Sequence, residues 1–315
     1  MQGLVISGSR NVFTVKQIVD GDALLFECRI KGKILKSSVD FKMPRDVRQR
    51  QPVKEYNPLA PGDIVEFENA QITFLHKRRN AFVRLNSKGN IPQILGANID
   101  LLICVTSISN PPFRPRFIDR VLLQADYAGI QPLVLVNKSD LYQQIPQAQY
   151  DRLNDFERQG YNVLFFSCKT KKGFDELLAL LNGKTALLCG QSGVGKSSIL
   201  NLLFPGANLK TGELNEKYDR GNHTTVMSKL FEYYSPESHY KIIDTPGIRQ
   251  FIPYGITKDE VILYMRDFAP FAGKCGFGQS CTHQTEEGCK IKETLAAGII
   301  NADRFESFSK MLGGL

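Results

Sequence analysis

Gly190-Gln191-Ser192-Gly193-Val194-Gly195-Lys196-Ser197, in the middle of the chain, spells a phosphate-binding loop. Asn137-Lys138-Ser139-Asp140, the pattern of a guanine-reading loop, lies before it, and Asp244-Thr245-Pro246-Gly247 lies after it. In an ordinary switch of this kind the phosphate loop comes first, the Asp-x-x-Gly element follows, and the base-reading loop comes near the end of the domain. Here the base loop and then Ser167-Cys168-Lys169 precede the phosphate loop. The parts are complete but circularly permuted, which predicts a nucleotide switch whose new termini are joined to other domains.

Each segment has its own chemistry. Gly190, Gly193 and Gly195 let the backbone curl so that N–H groups point at phosphate oxygens, and Gln191, Ser192, Val194 and Ser198 complete the run. Lys196 is predicted to reach the β- and γ-phosphates and the Ser197 hydroxyl to bind Mg²⁺. Asp244 would hold that magnesium through water, and the Gly247 N–H would sense the γ-phosphate. Base choice rests on Asp140, whose carboxylate accepts from two guanine donors that adenine lacks. Asn137 and Lys138 support this loop and pack on the ring. Ser167-Cys168-Lys169 resembles the Ser-Ala-Lys loop that steadies the guanine oxygen through a backbone N–H.

The polar stretch Asn208 to Val226 is a switch candidate, in which Thr224 or Thr225 completes the magnesium shell when GTP is bound. Ile248 follows Gly247 where many GTPases carry a water-orienting Gln, so slow intrinsic hydrolysis is expected. His223 or a partner is the expected substitute.

From Ile99 onward strand and helix alternate, predicting a mostly parallel sheet. Leu101 to Val105, Leu133 to Val136, Val163 to Phe166, Ala186 to Leu188 and Tyr240 to Ile243 read as strands, and Phe117 to Tyr127 as a helix. Four of the strands run directly into the four motifs. Open α/β sheets bind ligands at those carboxyl ends.

Before Ile99 the texture is of short strands: Gly3 to Ser7, Val12 to Ile18, Ala23 to Ile30, Asp63 to Glu68 and Gln71 to Phe74. Such a set suits a small barrel of the oligonucleotide-binding kind. Met43 to Ala60 reads as a mobile loop. Residues 1–90 hold 16 Lys and Arg against 9 Asp and Glu, nearly all of the chain's net +8. The clusters Lys31/Lys33/Lys36, Lys42/Arg45/Arg48/Arg50 and Lys77/Arg78/Arg79 predict an RNA or other polyanion surface, against the plainer alternative of a solvated face.

The 315 residues suffice for two or three domains, and no apolar run is long enough to span a bilayer. Met1 to Arg10 lacks the features of a signal peptide, so a cytoplasmic protein is expected. Cys28, Cys104, Cys168 and Cys189 stand singly in or beside apolar runs, as small hydrophobes in a reducing compartment do. Cys275-x₅-Cys281-x-His283-x₅-Cys289 is different. Three thiols and an imidazole within fifteen residues suit a closed tetrahedral zinc site, which would hold together a segment too small for a core of its own. Leu295 to Met311 then reads as one amphipathic helix.

The combination resembles the RsgA family, also called YjeQ or YloQ, and the resemblance runs through the basic barrel, Asn137 to Asp140, Gly190 to Ser198, Thr211 to Thr225, Asp244 to Gly247 and the Cys/His cluster. It implies an α/β P-loop GTPase domain, circularly permuted, over residues 96–254. This is flanked by an oligonucleotide-binding β-barrel (residues 1–95) and a small α-helical zinc-binding domain (residues 255–315). It further implies a protein that binds GTP and GDP with Mg²⁺ and engages the small ribosomal subunit and its rRNA, with hydrolysis stimulated by the subunit and release following; a monomer is expected because nothing in the sequence suggests a dimer surface. Two positions depart from the family pattern: the first cysteine gap holds five residues instead of four, and Asn222 stands where an Arg is usual. An RNA-binding scaffold with a vestigial nucleotide site and a permuted GTPase of the large subunit are the alternatives. The short link from Gly247 to the C-terminal domain predicts that a γ-phosphate-driven shift swings the zinc domain.

Overall fold

A computed structural model describes residues 1–9, 11–18, 24–30, 58–86, 91–206, 209, 228–284 and 286–314. Five N-terminal strands, β1 (Gln2–Ser9), β2 (Val12–Gln17), β3 (Leu25–Ile30), β4 (Ile64–Glu68) and β5 (Gln71–Leu75), pair in the ring β1-β2-β3-β5-β4 and back to β1. Period-2 alternation drives the closure: Val65 and Phe67 of β4 turn inward while Glu66 and Glu68 face water. Val5, Phe13, Val15, Cys28, Leu59, Ile72 and Leu75 complete this core. The expected oligonucleotide-binding barrel is present, with strand positions close to those read from the pattern.

The second sheet region contains β8 (Leu101–Ser107), β9 (Gln131–Asn137), β10 (Asn162–Phe165), β11 (Thr185–Gly190), β12 (Lys229–Tyr234) and β13 (His239–Asp244), ordered β10-β9-β8-β11-β13-β12. All pairings are parallel except β12 with β13. Every residue of β8 is buried, as expected of a central parallel strand covered on both faces. Helices α1 (Pro115–Ala128) and α2 (Gln147–Arg158) lie on one side, α3 (Phe174–Leu181) and α4 (Lys196–Leu203) on the other. Pro115 opens α1 and Gly129, at φ 66°, stops it. From β8 the chain runs outward through β9 to β10, then returns to the other side of β8 as β11, with β13 and then β12 beyond it, so the sheet's switch point lies between β8 and β11.

The barrel is annealed to this sheet. β1 pairs with β12 at Ser7 and Lys229, and Leu4 and Ile6 enter the same core as Leu187, Leu230 and Ile243. A second small sheet, unforeseen in the pattern, joins β6 (Ala81–Leu85) and β7 (Pro92–Ala97) to β14 (Ile252–Pro253). It ties the segment after Gly247 to the segment linking barrel and nucleotide domain.

The C-terminal region contains the one-turn helix α5 (Lys258–Val261), then α6 (Lys290–Ala296) and α7 (Ala302–Gly314). The single helix expected over Leu295 to Met311 is therefore two, broken at Gly298, whose φ of 70° no regular helix accommodates. Nor does the chain run straight from Gly247 into this region, because β14 and the buried Ile248 and Phe251 intervene. The region is clamped to α1 and α2. Asp119, buried in α1, accepts bidentate bonds from Arg152 Nη2 (2.7 Å) and one from Arg304 Nη1 of α7 (2.6 Å), while Arg304 also grips Asp267. Arg266 pairs with Asp126 and lies 4.0 Å over the Tyr161 ring. Among the described residues no helix is long and apolar enough to cross a membrane.

Candidate functional site

The carboxyl ends of β8, β9, β11 and β13, with the turn after β10, converge on the switch point and bring the predicted loops together. At the phosphate loop, Gly193 and Gly195 have φ of 81° and 98°, the left-handed conformations that let successive N–H groups face one cavity. A Cβ on Gly195 would stand 2.2 Å from Asn137 Nδ2. That same nitrogen donates to the Val194 carbonyl at 2.9 Å. Lys138 Nζ donates to the Gly193 carbonyl at 3.1 Å and to the Asn110 carbonyl. The base loop and the phosphate loop are thus bonded to each other without any intermediary.

Asp140 is exposed, with its carboxylate oriented by the Ser167 hydroxyl, which donates to Oδ1 at 2.8 Å while itself accepting from the Thr170 N–H at 3.2 Å. This leaves an aligned acceptor for two ring donors. Cys168 is half-buried and burial pushes its thiol up to about 11, so it is inert as a nucleophile. Lys169 is exposed at the rim.

Lys196 is buried and donates to the Gly190 and Gln191 carbonyls, both at 2.9 Å, with Ser197 and Ser198 beside it in the first turn of α4. Burial lowers its pKa, although Asp244 opposes this. Asp244, at the end of β13, is pushed up to about 6 by burial, against the pull of Lys196 and of the Thr245 N–H. Its Oδ1 is buried with no hydrogen-bond partner. An unsatisfied carboxylate oxygen facing a phosphate cradle fits a hydrated divalent cation. Thr245 Oγ1 donates to the Leu188 carbonyl at 2.8 Å, pinning the Asp-Thr-Pro-Gly turn to β11. Gly247 in consequence lies against the phosphate loop: a Cβ there would be 3.0 Å from Ser192 Cα.

Ile248 is buried, and its N–H donates to the Gly190 carbonyl at 3.1 Å. Its side chain joins the core that also holds Phe251 and Phe82. His223, Thr224, Thr225 and Asn222 lie outside the described residues, as does the switch stretch apart from Leu209.

The sequence reading missed the turn after β8. Ser107 donates to the Pro111 carbonyl at 2.9 Å, and this turn supplies the Asn110 carbonyl to Lys138 and sets Pro111 beside Gly193. That β8 also ends at the ligand edge was the available signal.

With the permuted order of these strands now established, the comparison is decisive: the RsgA GTPase family model matches residues 75–252. The chain belongs to the RsgA GTPase family. It is 34% identical over 316 residues to a protein of Borrelia garinii subsp. bavariensis called small ribosomal subunit biogenesis GTPase RsgA, covering 99% of this chain and 95% of that one. The crystal structure of YjeQ from Thermotoga maritima superposes with a TM-score of 0.71 at 26% identity, covering 99% and 97% of the two chains. YloQ, described as a circularly permuted GTPase, shares the fold with a TM-score of 0.63 at 22% identity over 99% of this chain and 93% of that one. Like its family, the chain is a GTP hydrolase.

The C-terminal cluster is assembled as the spacing predicted. Ligand atoms of Cys275, Cys281, His283 and Cys289 all lie within 4.8 Å of one another. His283 Nδ1 is 3.5 Å from both Cys275 Sγ and Cys289 Sγ, and those sulfurs are 3.9 Å apart. Bond lengths typical of zinc give tetrahedral edges of about 3.5–3.8 Å. With the extra residue in the first cysteine gap, Cys281 still lies within 4.8 Å of the other three ligand atoms. All seven cysteines are free of disulfides.

The basic clusters fare differently. Lys31, Lys33, Lys36, Lys42, Arg45, Arg48 and Arg50 lie outside the described residues. Lys77 is exposed, and Arg79 is exposed while pairing with Asp100 at 2.6 Å. Arg78 does not belong with them: it is buried and forms a two-pronged pair with the fully buried Asp63 at 2.6 and 2.7 Å. Its charge is paired with an internal carboxylate.

Proposed function

We propose that this GTPase binds the small ribosomal subunit in the cytoplasm and assists its late maturation, with hydrolysis stimulated by the subunit and triggering release. The name of the Borrelia relative, aligned along nearly the whole chain, carries the reading. Support comes from the union of a nucleotide switch, an oligonucleotide-binding barrel and a thiol-rich cluster in one molecule.

At the nucleotide site, Asp140 selects guanine, Asn137 and Lys138 hold the base loop to the phosphate loop, and the backbone from Gly190 to Ser197 cradles the phosphates. Ser197, Asp244 through water, and Thr225 or Thr224 would hold Mg²⁺, which would supply neutralisation of the phosphate charge. Lys196 and the Gly247 N–H stabilise the transferring phosphoryl group, and His223 is the proposed aid to the attacking water. Cys275, Cys281, His283 and Cys289 would hold one zinc ion, which would supply a structural cross-link. Lys77 and Arg79, with the barrel's other basic clusters, form the proposed rRNA surface, and the factor acts as a monomer.

The test is GTP turnover by the purified protein with small subunits, with large subunits and alone, using Lys196→Ala as control. Stimulation by small subunits only is expected. Equal rates in all three conditions would refute the proposed activator while leaving the GTPase itself intact.

A further inference from the structure

Where α7 meets α1, the carboxylates are already engaged. Asp303 accepts from Arg116 and Arg152, Glu306 pairs with Arg116 at 2.5 Å and with Lys310 at 2.6 Å, and the buried Asp119 holds Arg152 and Arg304. Arg120, the next residue of α1, is half-buried, and among the described residues its guanidinium has neither an ion pair nor a hydrogen bond. Five N–H donors therefore stand unspent at this seam.

Arg120 lines a surface cleft of about 90 Å³ between α1, β14 and the last turns of α7. Its other polar lining residues are Gln250 and Lys310, its wall includes Phe251, Pro253 and Met311, and no acidic residue lines it. The Lys310 pair with Glu306 is exposed and four residues apart on one helix, a weak bond that leaves the ammonium further donors. Arg84 of β6 adds another positive charge, with Nη1 3.5 Å from the Gln250 carbonyl. Two cations beside an amide, with no carboxylate to neutralise them, select an anion. The cleft is far below the roughly 300–1,000 Å³ of a cofactor pocket, so the anion is one compact group. Guanidinium and ammonium donors together match the oxygens of a phosphate.

We propose that this cleft, with Arg120 and Lys310 as its donors, seats a backbone phosphate of single-stranded RNA. The proposal rests on the rRNA partner inferred above and adds to it a contact outside the barrel, on the seam between the nucleotide domain and the C-terminal region. Charge complementarity favours this occupant: the chain carries a net +8, and a polyanion offers one phosphate to the cleft and others to the rest of the surface. Gln250 lies three residues after Gly247, so a phosphate seated here touches the segment that leaves the γ-phosphate sensor. The competing role for Arg120 and Lys310 is to serve the carbonyl end of α7, which attracts positive charge. That role predicts lost stability on their removal and no change in the salt dependence of RNA binding.

The experiment measures binding of the full chain to small subunits and to poly(U) across a salt titration. It compares the unaltered chain, Arg120→Gln combined with Lys310→Gln, and Lys171→Gln, an exposed lysine just before α3 on the other side of the sheet. The double variant is expected to bind both ligands about 3- to 10-fold more weakly and to reduce the slope of log affinity against log salt by about 1. GDP affinity, turnover without subunits and melting temperature should be unchanged. Unaltered affinity and slope would overturn the assignment, as would an equal loss in Lys171→Gln, which would reflect net charge alone. A lower melting temperature with an unaltered slope would instead assign both cations to the end of α7. Loss of polyglutamate binding with RNA binding intact would give the cleft to an acidic protein. If the unaltered chain binds poly(U) but not small subunits, the proposed partner fails while the poly(U) comparison still decides the cleft. Binding to neither would overturn the cleft assignment as well.

Discussion

Asp244 is where burial and charge conflict most sharply. Its pKa near 6 means that the nucleotide-free fold binds this proton more tightly than the unfolded chain, where the group titrates near the usual value of 3.8. The stabilisation by protonation is therefore fully present below about 3.8 and lost as pH rises through about 6. Asp244→Asn should accordingly stabilise the nucleotide-free protein at pH 7.5, by an order of 2 kcal/mol, with the gain shrinking to nothing as pH falls from about 6 to about 4. Thermal melts across that range check it. The same substitution should abolish magnesium-dependent hydrolysis. A second residue-scale prediction concerns Gly195, at φ 98° and with Asn137 Nδ2 in the place of its Cβ. Gly195→Ala combines left-handed strain of roughly 1–2 kcal/mol with loss of the Asn137 bond to Val194. Titration with a fluorescent GDP should show affinity reduced about 10- to 100-fold. Both residues were legible in the sequence because their roles follow from backbone chemistry that the motif itself encodes. Arg78 was not: one arginine in a basic run looks like another until Asp63 is found beneath it.

At the scale of elements, strands ending in motifs were readable since a buried parallel strand is a continuous apolar run and its last residue is the first of the loop. The small sheet of β6, β7 and β14 was not. β14 has only two residues, and the partner it needs lies far earlier in the chain. What holds this pairing is Phe251, fully buried with its ring 5.4 Å from Phe82 and 6.4 Å from Phe117. Phe251→Ala should cost about 3–5 kcal/mol in urea denaturation. It should also raise hydrogen exchange in Ala81–Leu85 before the rest of the nucleotide domain. Intact protection there would show that β14 is held by something other than this ring. The break between α6 and α7 was hidden because the apolar spacing continues across Gly298, and only a positive φ distinguishes a stop from a tolerated glycine.

Across the whole molecule, the C-terminal region is fastened to α1 and α2 by a buried charge network. Burial alone would raise the Asp119 carboxyl, but the Arg304 and Arg152 guanidiniums outweigh it and hold the group below the usual carboxylate range. Removing one member strands the others in a dry environment. Arg304→Met should therefore cost about 3–5 kcal/mol. It should release the C-terminal region to limited proteolysis while leaving nucleotide affinity intact, measured on the full chain. This fastening argues against the simple swing of the zinc domain expected from the short link after Gly247. The direct mechanical neighbour of β13 is instead β12, whose edge carries the barrel through β1. Chain order, the identity of each loop at the nucleotide site, and the Cys₃His ligand set were determined by the sequence alone, because each is a local pattern whose geometry the backbone imposes. Which charges meet, and hence where the C-terminal region is fastened, was decided only by tertiary structure. Asp119 and Arg304 stand 185 residues apart, and no pattern within either helix marks the other as its partner.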